Sequence, residues 1–218
     1  MAKRQPVKSH QVIDHTEKIP LKNEFKISIL RSPVSSDRIL GLIDEDKSIF
    51  TDCRKNLNHK IFKEILHTKI PVVLALCFKN KDIYALEFVQ ILSQFLKMHG
   101  YRASSRDQIL TSAQEAYANA FLWSSLDLEP IQDIRPIDFF LQIENRLQDK
   151  NYAERYMGVY LAKYPHILEI SIFVEGAPIV WPPKSHDDKF RGINLIRSLT
   201  DKVTFDLNGE VIRLHFLH

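Results

Sequence analysis

The chemistry open to this chain starts with its cysteines and its acidic turns. Cys53 sits in Asp52-Cys53-Arg54-Lys55, where the two cations favour a thiolate and Asp52 opposes it. A cysteine nucleophile there would need a histidine base brought in from elsewhere in the chain. Cys77 lies inside the uninterrupted apolar run Val72–Phe78 and reads as a small hydrophobe. Asp44, Glu45 and Asp46 form an acidic group between two short apolar pieces. Asp44 and Asp46 are the candidates for holding a divalent ion in a metal-dependent hydrolase. Acidic residues in a turn commonly have no such role. None of the nine histidines falls in an H-E-x-x-H or cysteine-paired zinc pattern, and none of the six glycines falls in a phosphate-cradling loop. The pattern therefore implies no metal and no cofactor. An enzyme remains the alternative reading, either a cysteine-dependent transferase or protease through Cys53 or a hydrolase through Asp44 and Asp46.

The least ordinary spacing is aromatic. Tyr152, Tyr156, Tyr160 and Tyr164 recur every four residues. On a helix such a ladder drifts by about 40° per step and stays on one side. Tyrosine combines an apolar ring with a polar tip and is enriched at protein interfaces. Trp181, just before Pro182-Pro183, adds a large apolar group at an element end. These five residues are the candidate partner-binding set. The competing reading is that the tyrosines line the rim of the protein's own core.

The elements that must position these groups follow from periodicity. Asn23–Arg31 alternates Phe25, Ile27 and Ile29 with polar residues, the pattern of a half-buried strand. Residues 39–43 and 48–51 read as a hairpin around the acidic turn, with a short helix from Ser36, capped by Ser35 or Ser36, as the alternative. Asn58–Lys69 reads as a short amphipathic helix. Val72–Phe78 suits a central strand buried on both faces. Asp82 is the expected cap of one long helix carrying Tyr84, Phe88, Ile91, Leu92, Phe95 and Met98 and ending at Gly100. Ser104 or Ser105 caps a second helix, and either strong helix propensity or close packing explains its Ala113, Ala116, Ala118 and Ala120. Pro136 opens a helix with Phe139, Phe140, Ile143 and Leu147 on its buried face. Asn151 caps a helix to about Lys163, which carries the tyrosine ladder. Strands are expected at 167–174 and 179–181, then a helix from Asp187 or Asp188, then a hairpin at Asn208-Gly209. The predicted architecture is α+β: a mixed or antiparallel sheet, a central block of about five to six helices and a C-terminal β-hairpin.

Charge and composition narrow the function. Residues 1–22 carry Lys3, Arg4, Lys8, Lys18 and Lys22 against Asp14 and Glu17, which accounts for the whole net charge of +3. They read as a flexible basic tail, followed by a single domain over 23–218 within which 104–164 could form a helical lobe. A neutral body lacks the charge excess that nucleic-acid binding draws on. No apolar run reaches the length of a membrane span, and the first residues lack the apolar region of a secretory signal. The unlike settings of the two cysteines point to a reduced, cytoplasmic protein. The expected function is an intracellular, non-catalytic protein-binding module: an adaptor, a chaperone-like subunit or a component of a larger assembly. Its Lys, Ile, Phe and Asn usage suits an AT-rich bacterium, where a secretion machine is one such assembly.

Overall fold

The computed structural model describes residues 26–43, 48–52, 72–129, 134–179 and 191–218. The predicted basic tail, the 58–69 helix, Trp181 and the helix cap at Asp187 or Asp188 lie outside these residues. Three short apolar segments open the sheet: β1 (Lys26–Ile29), β2 (Ser48–Thr51) and β3 (Val72–Lys79). They run parallel, with Ile29 beside Thr51 and Thr51 beside Cys77. The remainder is antiparallel: β4 (Tyr156–Lys163), β5 (Ile167–Val174), β6 (Lys202–Asp206) and β7 (Val211–Leu217) complete the order β1-β2-β3-β4-β5-β7-β6. The β6–β7 pair is the C-terminal hairpin, and Asn208 and Gly209 both take positive φ in its turn, as Asn-Gly turns require. The described residues form an α+β fold with a mixed seven-stranded sheet.

The described helices are α1 (Ser36–Leu40), α2 (Asn80–Ile83), α3 (Phe88–Met98), α4 (Ala103–Asn119), α5 (Pro136–Gln148), α6 (Lys150–Ala153) and α7 (Arg191–Leu199). A π-helical turn, Ala120–Ser125, continues α4. The core is two-sided because β-strand side chains alternate. Leu74, Leu76 and Phe78 of β3, with Met157, Val159 and Leu161 of β4, join Ile91, Phe95, Ala113 and Ile196 of the helices in the larger cluster. Ala75, Cys77, Tyr160, Phe173 and Val211 point to the other face and form a smaller cluster with Ile27 and Ile49.

Several expectations are corrected. No hairpin joins 39–43 to 48–51. Ser35 accepts a hydrogen bond from the Arg38 amide at 3.3 Å and caps α1, and the fully buried Ile39 anchors that helix. β2 pairs in parallel with both β1 and β3, which a hairpin cannot do. The helix expected from Asp82 to Gly100 is broken at 84–87, where the Glu87 amide donates to Ser36 Oγ at 2.7 Å. Asp82 does not cap it; its Oδ1 accepts from Ser32 Oγ at 2.5 Å and ties the β1–α1 connection to α2. Gly100, with φ of +78°, ends α3 as expected. The cap of α4 is Arg102, two or three residues before the expected Ser104 or Ser105, and it makes no side-chain cap bond. The helix expected over 151–163 stops at Ala153, and Tyr156–Lys163 is the strand β4.

Lys79 at the end of β3 and Lys81 in α2 converge on Glu154, Lys81 Nζ at 2.6 Å. Their hydrogen bonds hold the Glu154 carboxyl down at about 2, against a smaller upward push from burial. A lowered folded-state pKa stabilises the fold above the unfolded value of about 4.5, and that stabilisation is lost as pH falls from there through about 2. The Glu154 side chain is 41% exposed, so screening limits the effect to about 1 kcal/mol or less. Urea midpoints measured down this interval should fall less steeply in Glu154→Gln than in the parent chain. Parallel slopes would contradict this account.

Candidate functional site

Among the described residues a concave surface lies between α3 and α4. Phe88, Ile91, Leu92, Phe95 and Leu96 make the buried stripe of α3. The residues left facing outward, Val89, Gln90, Ser93, Gln94 and Lys97, repeat at i, i+1, i+4, i+5 and i+8 and form one wall of a groove. α4 reaches the sheet through small side chains. Ser112, Ala113, Ala116 and Ala120 are all buried, and Ser112 returns its hydroxyl to the Gln108 carbonyl at 2.8 Å. Its outward neighbours Leu110, Gln114, Tyr117 and Ala118 form the opposite wall. The groove has a volume of about 920 Å³.

One end of the groove is aromatic. Phe88 and Tyr117 stack with centroids 4.4 Å apart, and Tyr84 and Phe121 with centroids 5.8 Å apart. Tyr117 donates its hydroxyl to the Ile83 carbonyl at 3.1 Å, and burial pushes its pKa well up, so the half-buried ring is a neutral, fixed part of the wall. The π-helical turn shapes this end. The Leu126 amide bonds back five residues to the Phe121 carbonyl at 2.9 Å, and successive residues Phe121 and Leu122 both line the groove. Such π-helical insertions are frequent at functional sites. Ser125 Oγ donates to the fully buried Asn80 at 2.8 Å, and Arg155 donates to the Ser125 carbonyl at 2.8 Å, which anchors the turn to the sheet end. Charge is confined to the rim, with Glu87 at the aromatic end and Lys97 at the other.

A second apolar surface lies on α5. Ile143 is buried, and Phe139 and Leu147 are half-buried, with Phe139 against Trp123 at 6.2 Å between centroids. Phe140 was expected on this inner face. It is instead 55% exposed, beside Ile137 at 59% and Leu141 at 53%. α5 carries more apolar residues than one buried stripe can hold, so a second stripe at i, i+3 and i+4 faces out.

The tyrosine set is not brought together on one helix. Tyr152 lies on α6, where Arg146 and Arg155 sit over its ring at 4.2 and 4.6 Å. Tyr156 and Tyr160 share one face of β4; Tyr156 is half-buried and Tyr160 is 4% exposed. Tyr160 Oη accepts from Arg213 in a buried cluster where Arg213 also donates to Glu169 at 3.0 Å, to Ser171 at 3.3 Å and to Asp206. Burial would lower the Arg213 pKa, but the Tyr160 oxygen and the Asp206 and Glu169 carboxylates outweigh it and raise it. Tyr164 follows β4, half-buried, with its pKa raised by burial and by Glu169. Cys53, Asp44, Asp46 and Trp181 lie outside the described residues. Cys77 is fully buried; burial, then Asp52 and Glu175, push its thiol pKa well up, the opposite of what a nucleophile needs. Among the described residues no helix is long and apolar enough to cross a membrane, and no three His, Cys, Asp or Glu side chains are grouped to hold a metal ion.

The periodicity of α3 reports its buried stripe and not the groove on its far side. The visible signal was Val89 and Ser93 on the far side of the α3 stripe, opposite Leu110 and Tyr117 of α4. Comparison of the chain with known protein families and with characterised proteins finds no match.

Proposed function

We propose that this protein is a non-catalytic protein-binding module of the cytoplasm, an adaptor, chaperone-like subunit or component of a larger assembly, and that it receives an amphipathic helix of a partner in the α3–α4 groove. The observation that carries the reading is the groove itself, an apolar channel of about 920 Å³ with an aromatic end and charge only at its rim. Apolar grooves between helices take helical ligands through anchors at i, i+3, i+4 and i+7. An enzyme would instead place titratable groups inside its cleft, and here the lining is mostly apolar. The test is a photo-crosslinking residue in place of Gln94, on the exposed rim. Irradiation should give a discrete adduct whose cross-link maps to an amphipathic helix. Ala118→Arg should abolish it. Ala118 is half-buried on α4 and lines the groove, and arginine is a good helix former, so this change blocks the channel and should leave the melting temperature within about 2 °C of the parent. An adduct that survives Ala118→Arg, or no adduct at all, sinks the reading.

A further inference from the structure

We infer that the groove's occupant is helix α5 of a second copy of this chain, which rests on the reading that the groove receives a helix. The exposed stripe Ile137, Phe140 and Leu141 has the i, i+3, i+4 spacing of a groove-binding helix, and each residue keeps more than half its surface in solvent. A chain with both an unpartnered apolar helix face and an unfilled apolar helix groove carries the two halves of one interface.

Length and charge set how they meet. From Glu87 to Lys97 the groove wall spans ten helical steps, about 15 Å. From Arg135 to Glu144 the stripe and its flanks span nine helical steps, about 14 Å. Laid parallel to α3, α5 of the second copy sets its exposed Glu144 against exposed Lys97, and Arg135 against exposed Glu87. Laid antiparallel it would set like charges against each other at both ends. Arg135 is already held by Asp138 through bonds of 2.6 and 2.9 Å, so the Glu144–Lys97 pair sets the direction. Rim charges of this kind fix register more than affinity. The inner face of α5 stays engaged with Trp123, so the helix need not leave its own protomer to bind.

Sedimentation equilibrium over a concentration series tests this. The parent chain should show a mass above one chain that rises with concentration. Phe140→Asp and Ala118→Arg should each weaken association at least ten-fold, and an equimolar mixture of the two variants should recover a one-to-one pair, because one chain supplies an intact helix and the other an intact groove. Lys97→Glu should weaken association several-fold, and Glu144→Lys added in the same chain should restore it. A parent chain that stays monomeric throughout, or association that persists in Ala118→Arg, overturns the inference. A monomeric chain that still gives a groove-dependent cross-link to a different protein overturns only the self-association, and loss of both overturns the helix-receiving reading as well.

Discussion

Arg213→Met will cost about 3–5 kcal/mol of folding stability, the range for leaving one member of a buried ion pair without its partner. Arg213 is 8% exposed, in the middle of β7 opposite Ser171 of β5, and the equally buried Glu169 lies two residues away on that same strand. Methionine fills much of the side-chain volume, so the loss isolates charge and hydrogen bonding from cavity formation. What remains is a desolvated Glu169 whose nearest described polar contacts are Ser171 at 3.1 Å and His215 at 3.2 Å. Urea denaturation of Arg213→Met should show a lower midpoint at an unchanged slope. The diagnostic arm is the double variant Arg213→Met/Glu169→Leu. Removing both charges leaves no buried carboxylate without its cation, so it should regain part of the loss. A double variant as unstable as the single one would show that Arg213 acts through packing alone.

Why some of this fold was legible and some was not comes down to where the local signal is unambiguous. β3 was readable because Val72–Phe78 has no polar residue and sits on both cores at once. The Asn208-Gly209 turn and the Gly100 stop were readable because positive φ restricts residue type, and all three take it. The 152–164 region failed because a spacing of four is a multiple of two as well as near 3.6. Met157, Val159 and Leu161, fully or almost fully buried between the tyrosines, carried the period-two signal that the tyrosine ladder masked. The α1 region failed as a hairpin because its outcome depends on β2 seating between β1 and β3, a long-range pairing that local propensity does not report. The groove was invisible for a related reason. Each wall is an ordinary helix surface, and only the packing of α3 beside α4 turns two half-exposed stripes into a channel.

Tyr160→Ala should cost about 3–5 kcal/mol, as expected for removing a buried aromatic ring. A tyrosine on the exposed side of a helix could be truncated without lowering the melting temperature; one packed among Ala75, Cys77 and Phe173 on the second face of the sheet cannot. Tyr160→Phe keeps the ring and loses the bond that Tyr160 Oη accepts from Arg213, so it should cost about 1 kcal/mol. The guanidinium also lies 5.5 Å from the ring centroid, which couples the two residues further. A cycle combining Tyr160→Phe with Arg213→Met should therefore be non-additive by about 0.5–3 kcal/mol. Additive losses would mean that the hydroxyl contributes nothing to holding the cation. The contrast with the groove is what gives this pair of measurements functional content. If partner binding is lost in Tyr160→Ala only in proportion to the unfolded fraction, while Ala118→Arg loses it in a fully folded chain, then the tyrosines of β4 act through the fold and recognition belongs to the helical side of the sheet. A Tyr160→Ala chain that stays folded and selectively loses its partner would return recognition to β4.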